Sequence, residues 1–268
     1  METIIVKNFD DVDDPVKTEH ILFEQLTKLS GKVKTDFAYV AMPIADLINK
    51  TGIANTQSRI ADVCESNKDK KLFFVCQHIQ VDKLNFYGHL VFTPHSTIFD
   101  SYVPIPHYAC NYDSVYSKPW NEREYDFSFM GDYGTHRTRS LMYEALKNRP
   151  KTIFVDTKKW HFHSDSKTQK INKQNYIELL GNTKYSLCPR GTGPSTIRIW
   201  EAMAMNSCPI ILSNYLKMPL ELFLKTSLWY KSLEDCSSFD VDFEIYNNQE
   251  YWNLFSNENL YKSVIKNL

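Results

Sequence analysis

The sequence predicts an α/β protein built as two successive units, each a parallel β-sheet with crossover helices. Three observations point there. Strand-like and helix-like segments alternate along the chain. The apolar run KLFFVCQHI at 71–79 is bounded by charge, as suits a strand buried on both faces. The alternation halts in a proline-bearing polar stretch around 104–119 and then restarts, which marks a boundary.

Residues 3–9 alternate and are rich in β-branched side chains, so a strand opens the chain. Helical spacing of Ile21, Leu22, Leu26 and Leu29 predicts a helix over 16–29. Strands are expected at 37–42, 71–79 and 89–93, with a helix at 57–67. After the break, 126–130 is a strand ending at Gly131, and 137–148 is a helix with Leu141, Ala145 and Leu146 on one face. Then come a strand at 152–156, a helix at 172–180, a strand at 184–188, a helix at 194–205 and a strand at 208–213. Beyond 235 the chain is polar and aromatic, with helical stretches at 249–255 and 260–268. The expected domains are 1–118 and 119–235, followed by a helical segment, 236–268, that can pack back on the first domain.

The net charge is -1, from 31 basic and 32 acidic residues, so there is no basic surplus of the kind that binds nucleic acid. Six cysteines occur without a CxxC pair, several inside apolar runs, which suits reduced buried thiols in a cytoplasmic protein. No run approaches the length of a membrane span, and the first residues do not resemble a signal peptide. The chain therefore reads as complete and cytoplasmic. Aromatic residues make up 14%, for which a tyrosine-rich core is the commoner explanation than a sugar site.

The strand at 184–188 runs into Pro189-Arg190-Gly191-Thr192-Gly193 and then into the helix expected from Pro194. The glycines permit a tight turn and close approach to the backbone. Proline is tolerated in the first helical turn, and a helix N-terminus offers unpaired N–H groups to a phosphate. Arg190 can add a fork of donors. On that helix, Ser195, Arg198, Glu201, Ala202 and Met205 share one face. A carboxylate at Glu201 is placed to accept from ribose hydroxyls. The same spacing also fits an ordinary glycine turn with an Arg198–Glu201 ion pair. Two other phosphate loops are excluded. No lysine follows Gly193, so it is not a Walker loop, and the position where a cysteine phosphatase needs arginine holds Pro194. Cys188 reads as a small buried side chain.

The stretch 175–220 resembles the signature of the exostosin-like glycosyltransferases, family 47. The matching residues are Tyr176 and Leu180, Ser186 and Leu187, Cys188-Pro189-Arg190-Gly191, Ser195, Arg198, Glu201-Ala202, the strand 208–211 and Met218-Pro219. A second match lies at 126–139, DFSFMGDYGTHRTR, similar to the family's Phe-x-Gly loop with arginine at the next helix start; it brings in Gly131, Arg137 and Arg139. The resemblance is specific over 124–220. In the first half only 77–82 and 99–104 align with family segments.

This resemblance implies a GT-B fold, with two Rossmann-like domains facing across a cleft and the second holding the nucleotide. It implies inverting transfer from a UDP-sugar to an oligosaccharide. Arg190, the loop 189–193 and the helix start would hold the diphosphate, Arg139 would add a cation, and Glu201 would take the ribose. The general base is expected from the first domain: Asp82 first, then His78 and Asp100. The family's adjacent His-Asp pair is here separated as His78-Ile79-Gln80-Val81-Asp82. Asp-x-Asp pairs occur at Asp11/Asp13 and Asp240/Asp242, in polar segments that read as solvated acids, so no metal and no other cofactor is expected. Loops such as 104–116 would select the acceptor. The chain resembles compact soluble members from microbes and large algal viruses, among which xylose transfer occurs. UDP-xylose is therefore the expected donor, with UDP-galactose, UDP-glucuronic acid and UDP-N-acetylglucosamine open. The rival classes are a non-catalytic nucleotide-sugar-binding protein, an assembly protein and a GT-B epimerase.

Overall fold

The computed structural model describes residues 1–6, 16–158, 166–219, 228–230, 252–253 and 255–268. They form two compact units. The first holds Met1–Tyr108, Tyr215–Pro219 and Asn257–Leu268. The second holds Ala109–Asn214 and the described residues of the 220–256 stretch.

In the first unit, β1 (Glu2–Ile5), β2 (Phe37–Ala41), β3 (Lys71–Val75), β4 (Leu90–Thr93) and β5 (Val103–Pro104) form one sheet in sequence order. Every pairing is parallel. Alternating side chains feed two cores, because successive residues of a strand point to opposite faces. Ala38, Val40, Leu72 and Phe74 pack with α2 (Ile44–Ser66). Tyr39, Ala41, Phe73 and Val75 pack with α1 (Lys17–Thr27) and with the C-terminal helix Leu260–Ile265. Residues 72–75 are thus apolar because helices cover both faces of their strand.

In the second unit the order is β10-β9-β8-β6-β7, again all parallel, for β6 (Tyr125–Gly131), β7 (Thr152–Asp156), β8 (Thr183–Pro189), β9 (Cys208–Leu212) and β10 (Leu228–Tyr230). The helices are α3 (Arg137–Leu146), α4 (Ser166–Gly181) and α5 (Arg198–Ala204). Met142 and Leu146 of α3 pack on Phe127, Phe129, Tyr185 and Leu187. The other side of the sheet carries small polar contacts, such as Thr183 Oγ1 to Ser128 Oγ at 2.9 Å and Ser186 to Ser207 at 2.7 Å.

Several expectations are corrected. The units divide at Tyr108/Ala109, not at 118/119. Prolines break the periodic pattern there, but the following residues already pack on the second unit: Ser117 Oγ donates to the Met205 carbonyl at 2.9 Å, and the Lys118 N–H to the Gly181 carbonyl at 3.0 Å. The end of the chain, Asn257–Leu268, packs with the first unit, where Gln25 Nε2 donates to the Asn257 carbonyl at 2.7 Å. Helix α2 begins well before the expected 57–67, and Gly52, at φ 81°, interrupts it and scrambles its apolar period. Helix α4 gains polar N-terminal turns that carry no apolar repeat. Leu141 is 41% exposed, because the buried stripe of α3 is Met142 and Leu146. Helix α5 starts at Arg198 rather than Pro194, so 190–197 is irregular backbone. β5 is too short for a period-two signal, and β10 also went unforeseen. Among the described residues no helix is long and apolar enough to cross a membrane.

Candidate functional site

In parallel sheets, ligands bind beyond the carboxyl ends of the strands. The second unit has a cavity of about 250 Å³ there, between the end of β6, helix α4 and the start of α5. Gly131, Asp132, Arg139, Tyr176, Arg198 and Glu201 contribute to its wall.

Two arginines dominate its electrostatics. Arg139 reaches back from the first turn of α3; its Nη1 donates to the Asp132 carbonyl at 2.9 Å and its Nε to the Arg190 carbonyl at 3.3 Å. Arg198 opens α5 and donates through Nη2 to the Met130 carbonyl. Its Nε and Nη1 are buried with no hydrogen-bond acceptor among the described residues. The Phe129 ring lies under both guanidiniums, 4.4 Å from Arg198 and 5.5 Å from Arg139, and Tyr176 lies 5.5 Å from Arg198. Burial and the neighbouring Arg198 pull the Arg139 pKa down to about 10. Among the described residues neither arginine has a salt bridge. The carboxylates of Asp132 and Glu201 act on them only at longer range, and two partly buried cations held side by side without a carboxylate in direct contact suit an anion. Burial, and then Arg190 and Arg139, lower the pKa of His136, the N-cap of α3.

Two glycines make room for this pair. A Cβ at Gly131 would stand 3.2 Å from Arg198 Nη2, and one at Gly191 would stand 3.0 Å from Arg139 Nη2. The glycine-rich loop therefore serves the arginines first.

Glu201 is 1% exposed. Its Oε1 accepts from Asn111 N at 3.0 Å and Nδ2 at 2.7 Å, and its Oε2 from the Tyr176 hydroxyl at 2.8 Å. Burial raises its pKa, against the lowering effects of Tyr176, Asn111 and Arg198. A carboxylate has about four acceptor sites, so one on Oε2 is left for a ligand hydroxyl.

Of the residues singled out for donor binding, Gly131, Arg139, Arg198 and Glu201 come together on this wall. The others stand outside it. Arg137 is exposed on the outer side of α3, and Thr192 is exposed. Arg190 turns its Nη2 onto the Thr192 carbonyl at 3.5 Å, while its backbone N–H donates to the Leu212 carbonyl at 3.0 Å. Pro189 ends β8; Gly193 and Ser195 are buried in the loop, where Ser213 Oγ donates to the Pro194 carbonyl at 2.8 Å. Burial pushes the Cys188 thiol far up, as suits a packing residue. The sequence reading missed Asn111, and it gave no role to the α4 stripe Gln169, Asn172, Lys173 and Tyr176 that lines the cavity. The i, i+3, i+4, i+7 spacing of that polar stripe was the available signal.

The base candidates all lie in the first unit. His78 Nδ1 accepts from the Gln80 N–H at 3.1 Å, so Nε2 carries the proton and donates to Asn49 Oδ1 at 3.2 Å; both ring nitrogens are engaged. Asp100 accepts four donors: Ser96 Oγ, Thr97 N, Thr97 Oγ1 and Tyr102 N, at 2.7–3.0 Å. It builds its own loop. Asp82 is exposed on the short 3-10 turn Val81–Lys83 after β3. The pairs Asp11/Asp13 and Asp240/Asp242 lie outside the described residues.

Known proteins place this geometry. Residues 60–228 match the Exostosin GT47 domain. The chain is similar to "Exostosin-1 homolog" of Caenorhabditis elegans, 29% identical over 151 residues, which cover 49% of this chain and 38% of that protein. It is similar to "Exostosin-1b" of Danio rerio and "Exostosin-1" of Bos taurus, each 31% identical over 90 residues, covering 31% of this chain and 12% of the relative. The matched stretch is thus 38% or less of these relatives' lengths. The domain match takes in β6–β9, the arginine pair and Glu201, over well more than half of the chain. With its two parallel-sheet α/β units of GT-B type, this chain belongs to the exostosin GT47 family.

Proposed function

We propose that this chain is an inverting glycosyltransferase that moves a sugar from a UDP-sugar to a glycan hydroxyl. The observation that carries the reading is the Arg139–Arg198 pair, partly buried and, among the described residues, without a carboxylate in salt-bridge contact, on the wall of a cavity. A diphosphate supplies the missing negative charge. As the bond to the sugar breaks, charge grows on the leaving diphosphate, and the two guanidiniums are already in place to stabilise it. On this proposal no metal is needed. Glu201 accepts a ribose hydroxyl on its remaining acceptor site. Asp82, the base candidate whose carboxylate is not tied into its own loop, deprotonates the acceptor hydroxyl. Xylose is the proposed sugar, on the resemblance to compact members alone. The free thiols Cys64, Cys76 and Cys188 support a reducing, cytoplasmic setting.

The test is a thermal-shift and hydrolysis screen over nucleotide sugars, with and without EDTA. A UDP-sugar should raise the melting temperature and be slowly hydrolysed, equally with EDTA. Loss of both effects in EDTA contradicts the metal-free mechanism. Binding with neither hydrolysis nor transfer favours a non-catalytic binding protein.

A further inference from the structure

The loop after β4 carries an unusual exposure pattern in the first unit. Ile98 is 62% exposed, Phe99 76% and Tyr215 43%. The Phe99 and Tyr215 rings meet with centroids 5.2 Å apart at 47°, forming an open aromatic trough. Apolar rings on a solvated loop ordinarily fold inward or move freely. These are pinned. Thr97 and Leu216 form an antiparallel bridge, the Ile98 N–H donates to the Tyr215 carbonyl at 2.9 Å, and the Lys217 N–H to the Ser96 carbonyl at 2.9 Å. The four donors on Asp100 close the loop beneath Phe99.

The trough offers little charge. Asp100 is taken up by its loop, and Lys217 Nζ donates to the Tyr102 carbonyl at 3.0 Å. Its area is also small. Three side chains of about 150–250 Å² each, exposed to 43–76%, present under about 500 Å², short of the ~800 Å² per partner of a stable protein interface. A neutral ligand about as large as one or two rings fits both limits. The C–H face of a pyranose is such a ligand: flat, apolar, and rimmed by hydroxyls that stay in water.

We propose that Phe99 and Tyr215 form a stacking subsite for a neutral sugar ring of the acceptor glycan. This rests on the glycosyltransferase reading given above. Fixing the backbone under the rings in advance lowers the ordering cost of binding.

The test uses the full chain and xylo-, gluco- and galacto-tetraose as probes. Binding is read by saturation-transfer NMR and calorimetry without donor; UDP binding is measured separately. The expected result is saturation of sugar C–H protons for at least one probe. Its Kd should rise roughly five- to tenfold in Phe99→Ala/Tyr215→Ala, with UDP affinity unchanged, while Phe99→Trp retains binding. Exposed positions tolerate such changes, and the Trp variant controls for folding. No binding of any probe, or equal binding by the alanine variant, overturns the proposal. So does wild-type pelleting with phosphatidylcholine vesicles, or a dimer that the alanine variant loses. Absence of UDP binding counts against the donor reading alone, because the glycan readout does not use the donor.

Discussion

Replacing Glu19 with glutamine should reduce the alkaline loss of stability of this protein. Glu19 sits in the first turn of α1, buried under the carboxyl ends of β2 and β3. It accepts from the Ala45 N–H at 3.1 Å and the Gln77 N–H at 2.7 Å, tying α1 to the start of α2 and the end of β3. Burial raises its pKa from 4.5 to about 8, with the backbone N–H groups opposing and Asp46 adding to the rise. From pH 4.5 to 8 the folded chain therefore keeps a proton that the unfolded chain releases. Stability falls by about 1.4 kcal/mol per pH unit over that window and is flat above it. His95 acts oppositely. Burial and His78 lower its pKa from 6.5 to about 4, so its contribution is lost as pH falls between those values, and buried His107 shifts the same way. Below 6.5 the histidines offset or exceed Glu19; above 6.5 the losses come from Glu19 and, in the same sense, from the buried Glu201 carboxyl, whose pKa is also raised. The wild type should thus melt highest near pH 6.5 and lose about 2 kcal/mol by pH 8, or roughly 4–8 °C. Glu19→Gln keeps a carbonyl acceptor but has no proton to lose, so its melting temperature should fall by clearly less than the wild type's from pH 6.5 to 8. Calorimetric melts of both proteins over pH 5–9 give the answer. Equal alkaline losses in the two would refute the reasoning.

Other substitutions address the site. Arg198→Met should weaken UDP binding by roughly 10- to 150-fold, the loss of a charge-assisted contact, measured by titration calorimetry. Gly191→Ala sets a methyl 3.0 Å from Arg139 Nη2 and should displace that guanidinium, lowering kcat by about tenfold or more; unchanged turnover would mean that Arg139 need not hold its place. Asp82→Asn should reduce transfer by about 100-fold or more while UDP affinity stays the same; normal turnover would remove Asp82 as the base.

Where side-chain period is strong and local, the sequence reports the fold. The continuous apolar run at β3 and the Met142–Leu146 region both register as elements, although the latter with its face shifted by one residue. Where backbone alone decides, the sequence is silent. Gly52 hides half of α2, and β5 is held by partners rather than pattern. The site was legible in kind but not in arrangement. Arg139, Arg198 and Glu201 could be marked by motif, yet which arginine faces the cavity depends on where α5 begins. Its start at Arg198 draws that residue inward and leaves Arg190 on its loop. Asn111 was invisible, since no local pattern links it to a carboxylate ninety positions onward.

The central claim is that Arg139 and Arg198 bind a diphosphate. Titration calorimetry of UDP against uridine, on wild type and on Arg139→Met, tests it most directly. UDP should bind the wild type at least about 100-fold more tightly than uridine, as two charge-assisted contacts imply, and the gap should collapse in the variant. Equal affinities of the wild type for UDP and uridine, or a gap that survives in Arg139→Met, would contradict it.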